Sequence, residues 1–152
     1  MANDALTSHL SPDYFLYGKG IAAGPDFFKN VLFLGFQMGF GAGLIAGAFY
    51  LVANNSKPGR PALPYRQLVN FIVCPLAAAL LLAVAMGISS AGLAKSEGDT
   101  QLADAITGPR AIWFWRVWYI HLGLYVGLAL GTLGGIYCIR HARKLAVVEL
   151  AR

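Results

Sequence analysis

The stretch NVLFLGFQMGFGAGLIAGAFYLVA, residues 30–53, decides the fold. It holds no charged side chain, and its polar groups are Asn30, Gln37 and the Tyr50 hydroxyl. As a helix rising 1.5 Å per residue it is about 36 Å long, enough to cross the roughly 30 Å hydrocarbon core of a bilayer. A lone segment in lipid must satisfy its own backbone groups, and only a helix does so. Residues 68–93 and 112–139 read the same way, and all three runs are too long for buried strands. The chain is therefore expected to be an all-α membrane protein with three transmembrane helices, spans about 30–53, 68–93 and 112–139, forming one domain over 30–139. An extramembrane or interfacial segment, 1–29, precedes it, and a basic cytoplasmic tail, 140–152, follows.

Composition agrees. Hydrophobic residues make up 57% of the 152 and charged residues 12%, about half the soluble norm of roughly 25%. Such a chain cannot cover its own surface with polar groups. The net charge of +5 sits at the ends of the apolar runs, where it meets lipid headgroups. No interleaving of basic and aromatic residues suggests a nucleic-acid face. Cys74 and Cys138 lack metal or redox spacing and read as small buried hydrophobes. Residues 1–24 mix Asp4, His9, Asp13 and Lys19 without an apolar core, so the first span is expected to act as its own insertion signal. On the same ground a bacterial inner (cytoplasmic) membrane is expected.

Breakers punctuate the spans. Pro25-Asp26 suits a helix start, Asn54-Asn55 opens a Pro- and Gly-rich link, and Gly108-Pro109 interrupts the chain before the third span. Pro75 should kink the second span and leave the Phe71 carbonyl free for a neighbouring donor. Ser11-Pro12-Asp13 reads as a helix start, with Ser11 as its cap. A short interfacial helix through Tyr17 follows, ended by Gly18 and Gly20, with Tyr14, Phe15 and Tyr17 at an aromatic belt. Lys57, Arg60 and Arg66 in the first link share a side with Arg140, Arg143, Lys144 and Arg152. Lys19, Lys29, Lys95 and Arg110 fall on the other side among acids, which orients the chain N-out and C-in.

Small residues four apart line one face of each span. Gly35, Gly39, Gly43 and Gly47 mark the first, Gly123, Gly127, Gly131 and Gly135 the third, and Ala79, Ala83, Gly87 and Ala91 the second. Such faces let helix backbones approach closely, either within the chain or against another subunit. Gln37 and Asn30 lie away from the first stripe, giving that helix a second contact face and making it the expected partner-facing one.

His121 is the histidine within a predicted span, with Trp118, Tyr125 and Thr132 on nearly the same face. A histidine at membrane depth can ligate a haem iron or a pigment magnesium, which makes His121 the candidate metal ligand. His121, Trp118, Tyr125 and Arg116 are then the candidate cofactor-binding residues. A second ligand would come from His9 or a partner chain. The plainer alternative is a helix-to-helix hydrogen bond. Trp113, Trp115, Trp118 and Tyr119 around Arg116 read as an interfacial belt with a snorkelling arginine, or as a quinone or pigment pocket. No catalytic fingerprint appears, no span carries Asp or Glu, and Glu97, Asp99 and Asp104 read as solvated loop charge. Catalysis by this chain is not expected.

The three spans and intramembrane histidine resemble, in layout, the haem-binding membrane anchors of the succinate dehydrogenase type, without their loop and helix motifs. The N-out, C-in plan and small-residue faces are similar in layout to three-span phage holins. Three functions stay open. One is a non-catalytic subunit of a larger membrane complex, partnered by other integral membrane subunits or by copies of itself. Another is a haem-, quinone- or pigment-binding electron-transfer or photosynthetic subunit built on His121. The last is a holin-like pore-forming oligomer.

Overall fold

The computed structural model describes residues 2–58, 60–93, 106 and 108–150. The readings of Lys95, Glu97, Asp99, Asp104 and Arg152 fall outside these residues, as does the side chain of Ala91. The elements are α1 (Ala2–Leu10), a π-helical turn (Tyr14–Gly18), α2 (Phe27–Ala53), α3 (Tyr65–Asn70), α4 (Val73–Leu93) and α5 (Pro109–Leu150). No strand occurs among the described residues. Lys57 and Arg60 form an isolated antiparallel bridge in the first link, with N-to-O distances of 3.1 and 2.9 Å.

Among the described residues, three helical stretches are long and apolar enough to cross a membrane: Phe27–Ala53, Tyr65–Ser90 and Pro109–Ala146. The expected first and third spans sit inside theirs, whereas the second, expected over 68–93, begins earlier and has its apolar stretch end at Ser90. Residues 2–10, for which the sequence suggested no element, are helical. The second span is α3 and α4 separated by a turn at Phe71 and Ile72, four residues before Pro75, where a proline ring excludes the continuing helix. The third span does not stop at Ile139. The chain expected as a tail continues α5 through Leu150, because Ala, Lys, Leu and Arg there all favour helix whatever their charge. Gly108 adopts φ +62° just before Pro109, a backbone state in which glycine is at ease, and so sets the start of α5.

The residues cluster into two compact units, each holding parts of α2, α4 and α5: Met1–Gly41 with Ala83–Gly123, and Ala42–Leu82 with Leu124–Arg152. The first has a core of Tyr14, Phe15, Val31, Ile106, Phe114 and Val117, with Phe27 and Trp115 against it. Tyr14 and Phe15 are thus buried, against the expectation of an aromatic belt, while Tyr17 is exposed. The Ser11 hydroxyl, expected as a cap, is buried without a hydrogen-bond partner. Asp13 instead receives Arg110 in a two-pronged pair, Nε to Oδ2 at 2.9 Å and Nη2 to Oδ1 at 2.5 Å.

The second unit is centred on Tyr50, Ala53, Leu63, Leu68 and Ile139. The Tyr50 hydroxyl donates to the Phe71 carbonyl at 3.2 Å, so the acceptor exposed by the break before Pro75 does find a neighbouring donor. The Asn54 amide pairs with both backbone groups of Leu63, at 3.0 and 2.8 Å. Arg143, expected as a tail charge, is buried. It donates to the carbonyls of Ala53 (2.7 Å), Arg60 (2.7 Å) and Pro61 (3.1 Å). One guanidinium thereby covers the open end of α2 and pins the link to α5.

Candidate functional site

His121 lies on α5 in the first unit and is buried. Its Nδ1 is 2.9 Å from the Val117 carbonyl. A carbonyl only accepts, so Nδ1 carries the proton in that bond. Nε2 faces α1, 3.2 Å from Asn3 Nδ2 and 3.3 Å from Asp4 Oδ1. In the neutral ring Nε2 accepts from the Asn3 amide. In the imidazolium it donates to the Asp4 carboxylate. The Tyr14 ring stacks on the imidazole at 4.6 Å between centroids, and Phe15 meets it edge-on at 5.8 Å.

The polar face of α1 explains why a helix of such composition docks there. Thr7 and Ser8 are buried, and their hydroxyls donate to the carbonyls of Asn3 (2.8 Å) and Ala5 (2.9 Å). No polar group on that face is therefore left without a partner as it packs. Burial alone would push the Asp4 carboxyl up. The hydrogen bond with His121 is among the attractions that outweigh it and hold the group below its usual 3.8.

The sequence-nominated residues are distributed as follows. Trp118 is part-exposed and meets Tyr14 edge-on at 6.1 Å. The Arg116 guanidinium sits over the Trp113 ring at 4.8 Å, and its Nε is buried without a partner. Tyr125 belongs to the second unit, where with Thr132 it lines a groove of about 450 Å³. His9 is exposed and lies against Phe28, with ring centroids 5.5 Å apart. Both nitrogens of His121 thus already face protein partners. A metal at Nε2 would have to displace Asn3 and Asp4. Among the described residues no group of three or more His, Cys, Asp or Glu could hold a metal ion. Asn3 and Asp4, the residues that meet Nε2, are more than a hundred positions away in the chain, and only the polarity of residues 2–10 hinted at them.

The glycine faces differ from each other. On α5, Gly123, Gly127, Gly131 and Gly135 are all buried. A methyl group at Gly127 would strike the Ala78 carbonyl and lie 2.5 Å from Ala79 Cα. At Gly131 it would strike Pro75 Cα and lie 2.6 Å from the Cys74 carbonyl oxygen, and at Gly135 it would overlap the Tyr50 hydroxyl. These contacts belong to the second unit. In the first, a methyl group at Gly87 of α4 would come within 2.7 Å of Ile120. On α2, Gly35 is buried, but Gly39, Gly43 and Gly47 are exposed. With Gly41 they have nothing among the described residues within 4 Å of where a Cβ would stand. Gly43 and Gly47 line an apolar groove of about 230 Å³ with Tyr65, Leu68, Val69 and Pro75.

Comparison with protein families, curated proteins and solved structures gives no match, so the residues themselves carry the functional reading.

Proposed function

We propose that this chain is a non-catalytic integral membrane subunit of a larger membrane complex, held N-out and C-in in a bacterial inner membrane. Its α2 glycine face is the surface offered to another membrane subunit. One observation carries this reading: the same glycine spacing is packed on α5 and open on α2. Glycine costs up to ~1 kcal/mol relative to alanine at each helix-interior position. Close backbone packing offsets that cost on α5. On α2 no neighbour among the described residues offsets it at Gly39, Gly43 and Gly47, and an approaching helix would. Small-residue faces are what helix pairs in lipid use, since apolar area alone drives no association there. The α1 segment belongs to the outer interface in this reading, where it covers His121.

The test is recovery of the tagged chain from its native membrane in mild detergent, beside a Gly43→Leu variant. The wild-type chain should elute with stoichiometric membrane partners, and the variant should insert and elute alone. A wild-type chain that elutes as a monomer under mild conditions would sink the reading. Cysteines placed at Ser56 and Ser96 should label from the inner and outer sides respectively.

A further inference from the structure

The second unit holds a cavity of about 400 Å³ lined by Val52, Lys57, Arg60, Tyr137, Arg140, His141 and Lys144, with Arg143 and Ala53 in its wall. Five of these side chains are cationic and none is acidic. Among the described residues no carboxylate lies within ion-pair distance of any of the five, whereas Arg110 and Lys29 elsewhere each have an aspartate partner. Clustered cations repel one another, a cost that a bound anion would offset. Arg143 adds to this, because it is buried and donates to three neutral carbonyls. Peptide dipoles satisfy its hydrogen bonds without cancelling its charge.

We infer that this cavity binds the phosphate of an anionic phospholipid, with the lipid's chain lying along α2 and α5. The choice of lipid follows from the other side of the cavity. Val52 is 73% exposed and Tyr137 70% exposed, and both lie on apolar stretches of spanning helices just before the cationic residues begin. An inorganic anion has no use for that wall, while a phospholipid presents phosphate and hydrocarbon in the same order. Basic pockets between membrane helices at headgroup depth hold anionic lipids by this pairing. The Arg143 bonds to the link fix the position of Lys57 and Arg60, so the site is built by the same contacts that close α2. The inference is independent of any partner on α2.

The test uses the full chain in mild detergent, titrated with dioleoyl phosphatidylglycerol, dioleoyl phosphatidylcholine or inorganic phosphate and read by native mass spectrometry. Phosphatidylglycerol should bind near one per chain, and at least about tenfold more tightly than phosphatidylcholine. Arg60→Gln with Lys144→Gln should remove most of that preference, while Lys29→Gln with Arg66→Gln, which loses the same charge elsewhere, should keep it. Equal retention of the two lipids by the wild type would overturn the site, as would equal loss in both double variants. Inorganic phosphate binding as tightly as phosphatidylglycerol would overturn the lipid assignment. Should the Arg60/Lys144 variant fail to fold, the wild-type preference between the two lipids decides alone.

Discussion

The first and third spans carry the same motif, four glycines at four-residue spacing, in different surroundings. On α5 the glycines are filled in by the backbone of α4 at Gly127 and Gly131 and by the Tyr50 ring at Gly135. On α2 three of the four stand open. A GxxxG repeat therefore states that a close approach is sterically permitted, and the neighbour decides whether it happens inside the chain. Here α4 has one small-residue face, Pro75, Ala79, Ala83 and Gly87, all buried. In the second unit its Pro75 and Ala79 are taken up by α5.

The difference gives a ranked set of outcomes. Gly131→Leu should have the largest effect on the isolated subunit. A side chain there meets the Pro75 and Cys74 backbone, which cannot rotate away, so the helices must part. Overpacking typically costs 1–3 kcal/mol, and a collision with backbone belongs at or above the top of that range, about 3 kcal/mol. The check is the midpoint of thermal unfolding in detergent. Gly135→Ala should cost less, about 1–2 kcal/mol. The Tyr50 ring has to withdraw and loosen its hydrogen bond to Phe71, and adding Tyr50→Phe should recover little of the loss.

Acid gives a prediction that sets the docking of α1 apart from the glycine contacts. The folded-state pKa of Asp4 is depressed, so its contribution is fully present above the unfolded value near 3.8 and is lost as pH falls through the lower folded value. A spin label at the exposed Leu6, with Cys74 and Cys138 replaced by alanine, should stay restrained from pH 7 down to the unfolded Asp4 value near 3.8 and become mobile only as pH falls below it. Asp4→Asn should flatten that response. The glycine contacts carry no carboxylate and should not follow it. The smallest effect is expected at Gly47→Ala. Its Cβ enters open space, so the isolated subunit should be unchanged or gain up to ~1 kcal/mol from helix propensity. A marked loss there would mean that the α2 face is already occupied within the chain.

The spans were readable because long apolar runs leave a backbone one solution in lipid. Gly108-Pro109 and Pro75 were readable because their backbone chemistry is local. Three features were not. Residues 2–10 turn their leucines, Leu6 and Leu10, outward, and α1 docks through polar groups whose partner His121 lies far along the chain. The charge run after Ile139 reads as a tail by hydropathy, although its residues favour helix and Arg143 turns inward to carbonyls that no pattern announces. The use of the two glycine stripes was equally hidden, since their spacing is identical and the distinction lies in which neighbour arrives. The small face of α4 was the one available signal, because it can serve a single close partner.

The most direct test of the account is a two-by-two comparison of Gly43→Leu and Gly127→Leu. Each variant is scored for unfolding of the purified subunit and for recovery of partner subunits from native membranes. The account predicts that Gly127→Leu lowers the unfolding midpoint, while Gly43→Leu leaves it within a degree or two of wild type yet strips away the partners. Partners retained by Gly43→Leu and released by a folded Gly127→Leu subunit would contradict it.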